Sequence, residues 1–335
     1  MESKKNVINY YAPIIIPTLC RYEHLKRCLE SLAINNGAES TDVFIALDYP
    51  SKEKHWDGYK KIESYLSNNK LNFRSLHVIK REENFGPVKN LRALKGYVYS
   101  LYDRLILSED DNEFAPGFLN FINQGLLLYE NDEKVNAICG YNYNINIPNI
   151  KCSSYFSYEY SAWGVGRWRE KDIKIMNLCN QEYIASVLSS YRSMFVLYKN
   201  EPRLLNTLIY LHKSNQVYGD TINVTYQYLN GMMSLFPKKS LVRNHGFDMS
   251  GSTINKIDTS YTNQEIDMEE CHNDLEKITI EVNHNAMKYV RSFHKRPLWM
   301  NIAIFVRILW LKWFNKDLFY YYDIKRHKGV VCFKG

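Results

Sequence analysis

Residues 104–118 read RLILSEDDNEFAPGF, which places three consecutive acids directly after a short apolar run. Residues 104–107 predict a buried strand. Neighbouring acids raise each other's pKa unless a cation neutralises them, so an acid triplet at a strand end is costly by itself. Oxygen ligands suit magnesium or manganese, which commonly bridge one or two carboxylates to substrate phosphates. The stretch therefore predicts a divalent-metal site at Glu109, Asp110 and Asp111, and a solvated acidic turn is the alternative.

The residues before this stretch alternate short apolar runs with amphipathic helical patterns, which is typical of βα units around a largely parallel sheet. Strands are predicted at 12–16, 43–47, 76–79 and 104–107. Two helical stripes are predicted to face inward: Leu25, Cys28, Leu29 and Leu32, and then Leu91, Leu94, Val98 and Leu101 in a helix over 88–102. We predict an α/β fold with a Rossmann-like, mixed and mostly parallel sheet, followed by a C-terminal helical and amphipathic extension.

The predicted ligand-binding edge follows from this sheet. Ligands of open α/β sheets bind outside the carboxyl ends of the strands, where the loops diverge from a rigid frame. Thr18, Asp48 and the acids at 109–111 all fall at such ends. We therefore expect these side chains to lie on one edge of the sheet.

Composition and charge narrow the class of protein. A chain of 335 residues with 45% hydrophobic content can bury one large α/β core or two smaller lobes. The net charge of +7 favours an anionic surface or substrate as partner. Seven cysteines without a C-x-x-C pair predict reduced, mostly buried thiols. Residues 1–11 are polar where a signal peptide needs an apolar run, so we expect a cytoplasmic protein.

The segment 297–322 combines many apolar residues and tryptophans with Arg307 and Lys312. Two cations make it a poor membrane-spanning helix, since each costs roughly 2.5 to 3.5 kcal/mol at a bilayer centre. An interfacial helix, with tryptophan at headgroup depth and cations toward anionic lipid, would place the protein peripherally on the inner face of the cytoplasmic membrane. A helix packed on the protein core is the alternative, and both remain open at this point.

Residues 106–118 resemble the metal-site segment of GT-A glycosyltransferases. The resemblance is strongest to the inverting N-acetylglucosaminyltransferase I-like enzymes, and it extends to bacterial family 2-like nucleotide-sugar glycosyltransferases. It implies that Asp111 binds Mn²⁺ or Mg²⁺, which grips the donor diphosphate. By the same resemblance, Glu109 and Asp110 contact the ribose and the sugar of the donor.

Two upstream features extend the resemblance. Residues 17–21, PTLCR, resemble the opening strand and helix of the family, which implies donor contacts for Thr18 and Arg21. Asp48 matches the acid that meets the uracil ring in relatives, where a carboxylate accepts a hydrogen bond from a base N–H. An Asx-turn with Tyr49 is the alternative for Asp48.

Two further segments resemble parts of the family's donor pocket. Residues 84–90, NFGPVKN, resemble the loop and helix start that precede the metal site, where Lys89 would approach the donor. Residues 161–168, SAWGVGRW, resemble the segment that shapes the sugar and acceptor pocket. Tryptophan faces suit sugar C–H surfaces, so Trp163 is a candidate sugar contact, with a place in the core as the alternative.

The last matches concern the catalytic base and a closing loop. Asp220 sits where inverting relatives carry the carboxylate that deprotonates the acceptor hydroxyl, although the chain lacks the aromatic-Asp-Asp pattern of the nearest relatives. An ordinary helix N-cap is the alternative. Residues 236–252 resemble the loop that closes over the bound donor. There Asn244 and Ser250 offer hydrogen bonds to phosphate, and His245 is a candidate metal ligand.

The matches occur in family order over roughly residues 12–252 and imply a metal-dependent inverting glycosyltransferase. The donor would be a nucleotide-sugar, most simply a UDP-sugar, and the acceptor a glycan or lipid-linked saccharide in surface polysaccharide synthesis, without a nucleic-acid partner. Residues 1–147 would form the donor-binding half of the domain and 148–252 the acceptor and catalytic half. Residues 253–335 would form a linker and the amphipathic, membrane-associating segment.

Three other function classes compete with this interpretation. A sugar-phosphate nucleotidylyltransferase also binds a nucleotide with acids and magnesium, but it usually opens with a glycine-rich loop, and residues 13–21 contain no glycine. A P-loop phosphotransferase is disfavoured because G-x-x-x-x-G-K-[ST] is absent from the sequence. A non-catalytic glycan- or membrane-binding protein with a GT-A-like fold remains the alternative from another class.

Overall fold

The computed structural model describes residues 11–144, 153–250, 257–268, 275–293 and 298–314. The predicted boundary near residue 148, the end of the closing loop at 251–252, and residues 315–322 lie outside the described residues. The chain divides into two compact units. The first comprises Met1–Phe156, Ser161–Glu170 and Ser234–Glu281, and the second comprises Ser157–Tyr160, Lys171–Met233 and Val282–Gly335. Both units are discontinuous in sequence, so their limits differ from the three predicted ranges, whose functional roles stay predictions.

Among the described residues, eight strands form one sheet in the order β3-β2-β1-β4-β8-β6-β9-β7. Their bounds are β1 Ile14–Thr18, β2 Asp42–Leu47, β3 Ser75–Lys80, β4 Arg104–Leu107, β6 Val135–Cys139, β7 Ser154–Ser157, β8 Val165–Trp168 and β9 Met233–Pro237. β1 is parallel to β2 and β4, and β2 is parallel to β3. β8 is antiparallel to both β4 and β6. The predicted α/β class with a mixed, mostly parallel sheet is confirmed.

Among the described residues of the first unit, a two-stranded ribbon and five complete α-helices accompany the sheet. The ribbon pairs β5 with β10 in antiparallel register. The bounds are β5 Asn112–Phe114, β10 Val242–Asn244, α1 Tyr22–Ala33, α2 Trp56–Asn68, α3 Gly86–Leu101, α4 Phe118–Leu128 and α10 Thr259–Thr262. The ribbon matters for function because it brings the chain after β10 next to the acid triplet, which immediately precedes β5.

The predicted helical stripes are correct for α1 and partly wrong for α3. In α1 the four predicted residues, Leu25, Cys28, Leu29 and Leu32, are all buried. In α3, Leu94 and Val98 are buried as predicted, but Leu101 is 57% exposed. Leu101 is the last residue of α3, and the next residue, Tyr102, packs against Phe44 of β2 with ring centroids 6.0 Å apart. The aromatic ring therefore covers the sheet where the leucine was expected to do so.

At the amino end of β2, the buried carboxylate of Asp42 gathers three donors from distant parts of the chain. It accepts hydrogen bonds from Arg74, Ser75 and the hydroxyl of Tyr102. The hydrogen bond from Arg74 is the largest cause of a pKa for Asp42 well below its usual value, which burial opposes. This cluster joins β2, β3 and the end of α3 at the edge opposite to the predicted ligand-binding edge.

The substitution Asp42→Asn should reduce the stability of the fold at neutral pH. We expect a loss of about 1 kcal/mol, at the low end for a charged hydrogen bond because Arg74 is half exposed and solvent screens the pair. The folded-state pKa of Asp42 lies below its unfolded value of 3.8, so its contribution is present above that value and is lost as pH falls through the folded pKa. Urea unfolding across pH should show that the difference in free energy of unfolding between the variant and wild type disappears in acid. An equal difference at every pH would contradict the assignment.

The second unit is helical throughout its described core. Its helices are α5 Arg169–Leu178, which begins in the first unit, and then α6 Gln181–Ser189, α7 Tyr191–Asn200, α8 Pro202–Ser214, α9 Gly219–Asn230, α11 His284–Phe293 and α12 Leu298–Phe314. Side-chain caps define two starts: Asn180 accepts from the backbone N–H of Tyr183, and Ser190 from that of Ser193. No helix among the described residues has the length and apolar character needed to cross a membrane.

Candidate functional site

The carboxyl ends of β1, β2 and β4 meet at one edge of the sheet, as predicted. The hydroxyl of Thr18, the last residue of β1, donates to Oδ2 of Asp110 over 2.8 Å. The backbone N–H of Asp48, directly after β2, donates to the carbonyl of Thr18 over 2.9 Å. Residues far apart in sequence therefore converge because neighbouring parallel strands end together.

At this edge, Arg21 binds two acids of the triplet, Asp110 and Asp111. Arg21 immediately precedes α1, and its guanidinium pairs with Asp110 and lies 2.8 Å from Oδ2 of Asp111. The two acids are only 4% and 5% exposed. Burial raises the pKa of Asp111 and the charge of Arg21 opposes that rise. Burial lowers the pKa of Arg21, but the carboxylates raise it by more, so the guanidinium stays charged. The neutralising cation that the sequence demands is thus supplied within the chain.

Glu109, the first acid of the triplet, is less buried than the other two. Its charge contributes to the raised pKa of Arg21, so it belongs to the same electrostatic cluster. Its backbone carbonyl accepts from the hydroxyl of Ser108 over 2.8 Å. Glu109 therefore lies at the solvent side of the triplet, while Asp110 and Asp111 form its buried side.

The chain after β10 covers Asp111 from the other side. Asn244 donates from Nδ2 to Oδ1 of Asp111 over 2.8 Å, and its Oδ1 accepts from the N–H of Gly246 over 2.9 Å. A Cβ on Gly246 would lie 2.1 Å from Oδ2 of Asp111, which is closer than atoms can approach. Glycine at position 246 therefore lets the loop pass directly over the carboxylate. The side chain of Asn244 therefore contacts Asp111, and its predicted contact with phosphate stays a prediction.

His245 contacts the acid triplet through its backbone, while its ring points to another acid. Its N–H donates to the carbonyl of Asp111 over 2.8 Å, and its Nε2 lies 2.6 Å from Oε2 of Glu113. That hydrogen bond is the largest cause of the lowered pKa of Glu113, whose other partner is Arg243. Within the described ranges, no group of three or more His, Cys, Asp or Glu side chains has metal-binding spacing. Metal ligation by His245 stays a prediction.

His24 is a site residue that the sequence reasoning missed. Its Nε2 lies 3.0 Å from both Oδ2 of Asp248 and Oγ of Ser250, so it ties the loop that follows β10 to α1. Its Nδ1 is buried and has no hydrogen-bond partner among the described residues. The signal was the spacing of three residues between Arg21 and His24, which puts both side chains on one side of the start of a helix. Ser250 reaches this histidine, and its predicted phosphate contact is untested.

The carboxylate of Asp48 is engaged by backbone donors of its own chain. It accepts from the N–H groups of Phe85 and Gly86, each over 2.8 Å, and from that of Tyr49 over 3.0 Å. Gly86 has φ of +72°, a conformation that favours glycine, and it begins α3. The geometry favours the structural alternative, in which Asp48 shapes the turns around it. A contact with a uracil ring would have to share these oxygens and stays a prediction.

Two other predicted contact residues have protein partners. Lys89 is exposed, lies 3.1 Å from Glu83 and stacks 3.8 Å from the ring centroid of Phe85. Trp163 is partly buried in an aromatic cluster, with centroid distances of 4.6 Å to Tyr141, 5.8 Å to Phe247 and 5.7 Å to Tyr261. Phe247 belongs to the loop that follows β10, so Trp163 contacts that loop, and its contact with sugar stays a prediction.

Asp220 belongs to the second unit, in the first turn of α9. The N-cap of α9 is Tyr218, so the interpretation of Asp220 as the N-cap is wrong. The carboxylate is partly buried, and a negative charge near a helix N-terminus interacts favourably with the helix dipole. The role of Asp220 as general base stays a prediction.

Comparison with known proteins finds partial likeness to solved glycosyltransferases. No protein-family model and no curated protein matches the chain. The mannosyltransferase PcManGT from Pyrobaculum calidifontis, solved with GDP-Man and Mn²⁺, matches with 12% identity and a TM-score of 0.36 over 52% of this chain and 50% of that one. TarS 1-349 from S. aureus, solved with UDP-GlcNAc, matches with 16% identity and a TM-score of 0.34 over 50% and 48%. The chain spans about half the length of these proteins, and their activities are not transferred to it by likeness of this extent.

Proposed function

We propose that this chain is a metal-dependent, inverting glycosyltransferase of the GT-A type. It transfers a hexosyl or N-acetylhexosaminyl group from a UDP-sugar to a glycan or lipid-linked saccharide in surface polysaccharide synthesis. The observation that carries the proposal is the buried pair of Asp110 and Asp111 at the strand ends, within a segment that resembles the metal site of this family. Arg21 supplies one positive charge for these two carboxylates, which lie at the carboxyl ends of parallel strands, where open α/β sheets bind their ligands.

The side chains at this edge fit a hard divalent cation. Magnesium and manganese use one or two protein carboxylates and take their other ligands from substrate phosphates and water. Asp111 is the assigned ligand, and a cation bound there would share its Oδ2 with Arg21, whose guanidinium lies 2.8 Å away. His245 is the second assigned ligand, provided that its ring leaves Glu113. When bound, the cation would stabilise negative charge on the leaving diphosphate.

The chain's own residues account for binding and proton transfer. Arg21 pairs with Asp110 and Asp111 and adds positive charge where donor phosphates would lie. Glu109 and Asp110 accept hydrogen bonds from hydroxyls of the donor. Asp220 removes the proton of the acceptor hydroxyl as its oxygen attacks the anomeric carbon, and the bond from that carbon to UDP breaks with its electron pair moving to the diphosphate. One displacement of this kind inverts the anomeric configuration.

A screen of nucleotides and nucleotide-sugars by thermal shift, with and without Mn²⁺, tests the proposal. A ligand that binds the native state adds about 2.7 kcal/mol to the free energy of unfolding at a concentration of 100 Kd, and this raises the melting temperature. We expect UDP and a UDP-sugar to raise the melting temperature only when Mn²⁺ is present. The absence of any metal-dependent shift for every nucleotide tested would contradict the proposal.

Product analysis separates the competing functions. A glycosyltransferase releases UDP from the UDP-sugar when acceptor is present, and slow hydrolysis releases it without acceptor. A sugar-phosphate nucleotidylyltransferase instead releases pyrophosphate from UTP and a sugar 1-phosphate. A glycan-binding protein without turnover would bind saccharide and release neither product.

A further inference from the structure

Helix α12 presents apolar side chains on two opposite sides. Its buried stripe comprises Ile304, Ile308 and Leu311, spaced as expected for one face of a helix. Four residues on the opposite side are between 42% and 69% exposed: Trp299, Ile302, Val306 and Trp313. At 3.6 residues per turn these four directions fall within about 60° of one another. Only one side of the helix is therefore covered within the described residues.

Helix α7 enlarges this exposed apolar face. The rings of Tyr198 and Phe305 lie 5.6 Å apart between centroids. At the other end, the pKa of Tyr191 is lowered, first by its hydrogen bond with Arg192 and further by the nearby charge of Lys312. The two contacts occur in opposite order along the two helices, so α7 and α12 are antiparallel neighbours. Two exposed apolar side chains of α7, Tyr191 and Phe195, lie on the same side of that helix as Tyr198 and join the face.

The charges on these two helices are all positive. Helix α7 carries Arg192 and Lys199, helix α12 carries Arg307 and Lys312, and neither helix contains Asp or Glu. Arg307 is buried, whereas the other three cations are exposed. Exposed tryptophan near both ends of an apolar stripe, with only cations beside it, is the pattern of a surface that meets lipid headgroups.

We infer that this exposed face of α7 and α12 docks the protein onto an anionic lipid bilayer. The helix α12 would lie in the plane of the interface, with Trp299, Ile302 and Trp313 at the boundary of headgroups and acyl chains. Arg192 and Lys312 would meet lipid phosphates, each strengthening binding about fivefold at low ionic strength. The sequence pattern pointed to α12 alone, and the packing adds α7. This inference does not depend on the proposed sugar transfer.

Co-sedimentation with vesicles tests the inference on the full chain. One set contains phosphatidylcholine with an equal amount of phosphatidylglycerol, and the other contains phosphatidylcholine alone. Wild-type protein should partition to the anionic vesicles, and less so as salt is raised. The double variant Trp299→Ser/Trp313→Ser should lose at least about tenfold in partitioning. The double variant Arg192→Gln/Lys312→Gln should lose about 30-fold on anionic vesicles at low salt and little on neutral ones.

A matched control comes from exposed apolar residues of the first unit. Ile34 and Val88 are 69% and 72% exposed, so the double variant Ile34→Gln/Val88→Gln removes comparable apolar exposure elsewhere. It should bind vesicles as wild type does, and all variants should keep the wild-type melting temperature because the changed side chains are exposed. Equal vesicle binding by all proteins, or none by wild type, would overturn the inference. A second outcome would also overturn it: wild type is a dimer, and the tryptophan variant is monomeric but binds vesicles as wild type does. The face would then join two copies of the chain.

Discussion

Asp111→Asn should abolish metal-dependent binding of the nucleotide-sugar donor. Asparagine keeps the shape of the side chain and can still accept from Asn244, but it removes the charge that a divalent cation requires. We expect donor affinity with Mn²⁺ to fall by at least about 100-fold, since changes even outside the first ligand shell of a metal typically cost about 10- to 100-fold. The fold should survive, because the lost charge is buried and Arg21 keeps its pairing with Asp110. Calorimetric titration with UDP, with and without Mn²⁺, measures this.

The matched control for this prediction is Asp42→Asn. Asp42 is another buried aspartate paired with an arginine in the same unit. It lies at the amino end of β2, whereas Asp111 lies at the edge formed by the carboxyl ends of the strands. Asp42→Asn should lower the free energy of unfolding and leave donor affinity unchanged. Asp111→Asn should lower donor affinity and leave the fold intact. If UDP binds Asp111→Asn and wild type equally well in the presence of Mn²⁺, the metal assignment is wrong.

Asp220→Asn should slow sugar transfer by roughly 10²- to 10⁴-fold, the typical contribution of a general base. Asparagine has the size of aspartate but cannot take up a proton at neutral pH. Donor binding should survive, because Asp110 and Asp111 are untouched, so the loss should appear in kcat and not in donor affinity. Stability should change little, since Asp220 is not the N-cap of α9 and asparagine keeps the size of the side chain and one of its accepting oxygens.

Glu182→Gln provides the control for Asp220. Glu182 lies at the second position of α6, as Asp220 does in α9, so both substitutions neutralise one carboxylate in the first turn of a helix of the second unit. Transfer measured on both variants, together with their donor affinity, separates catalysis from helix electrostatics. A near-normal transfer rate for Asp220→Asn would reduce this residue to a structural role, and Asp248, in the loop that follows β10, would be the next candidate base.

The parts of the fold that sequence predicted well depend on local pattern. The strand at 104–107 has the predicted bounds, and the four predicted inward residues of α1 are all buried. In both places, the burial of each side chain follows from the period of its own element. The prediction failed for Leu101, because the end of α3 is covered by the neighbouring residue Tyr102 and helical period contains no information about that replacement.

From the sequence by itself, one can determine the chemistry required at residues 109–111: acids in a row at the end of a buried strand need a positive partner. The tertiary structure alone decided which partner the chain supplies. Arg21 meets Asp110 from 89 positions away, Asn244 meets Asp111 from 133, and His24 meets Asp248 from 224. Such pairings depend on how strands are ordered and on which loop crosses their ends, and these follow from the packing of the whole unit. Residue type therefore specifies the need for a charge at this site, and only the folded chain determines which residue supplies it.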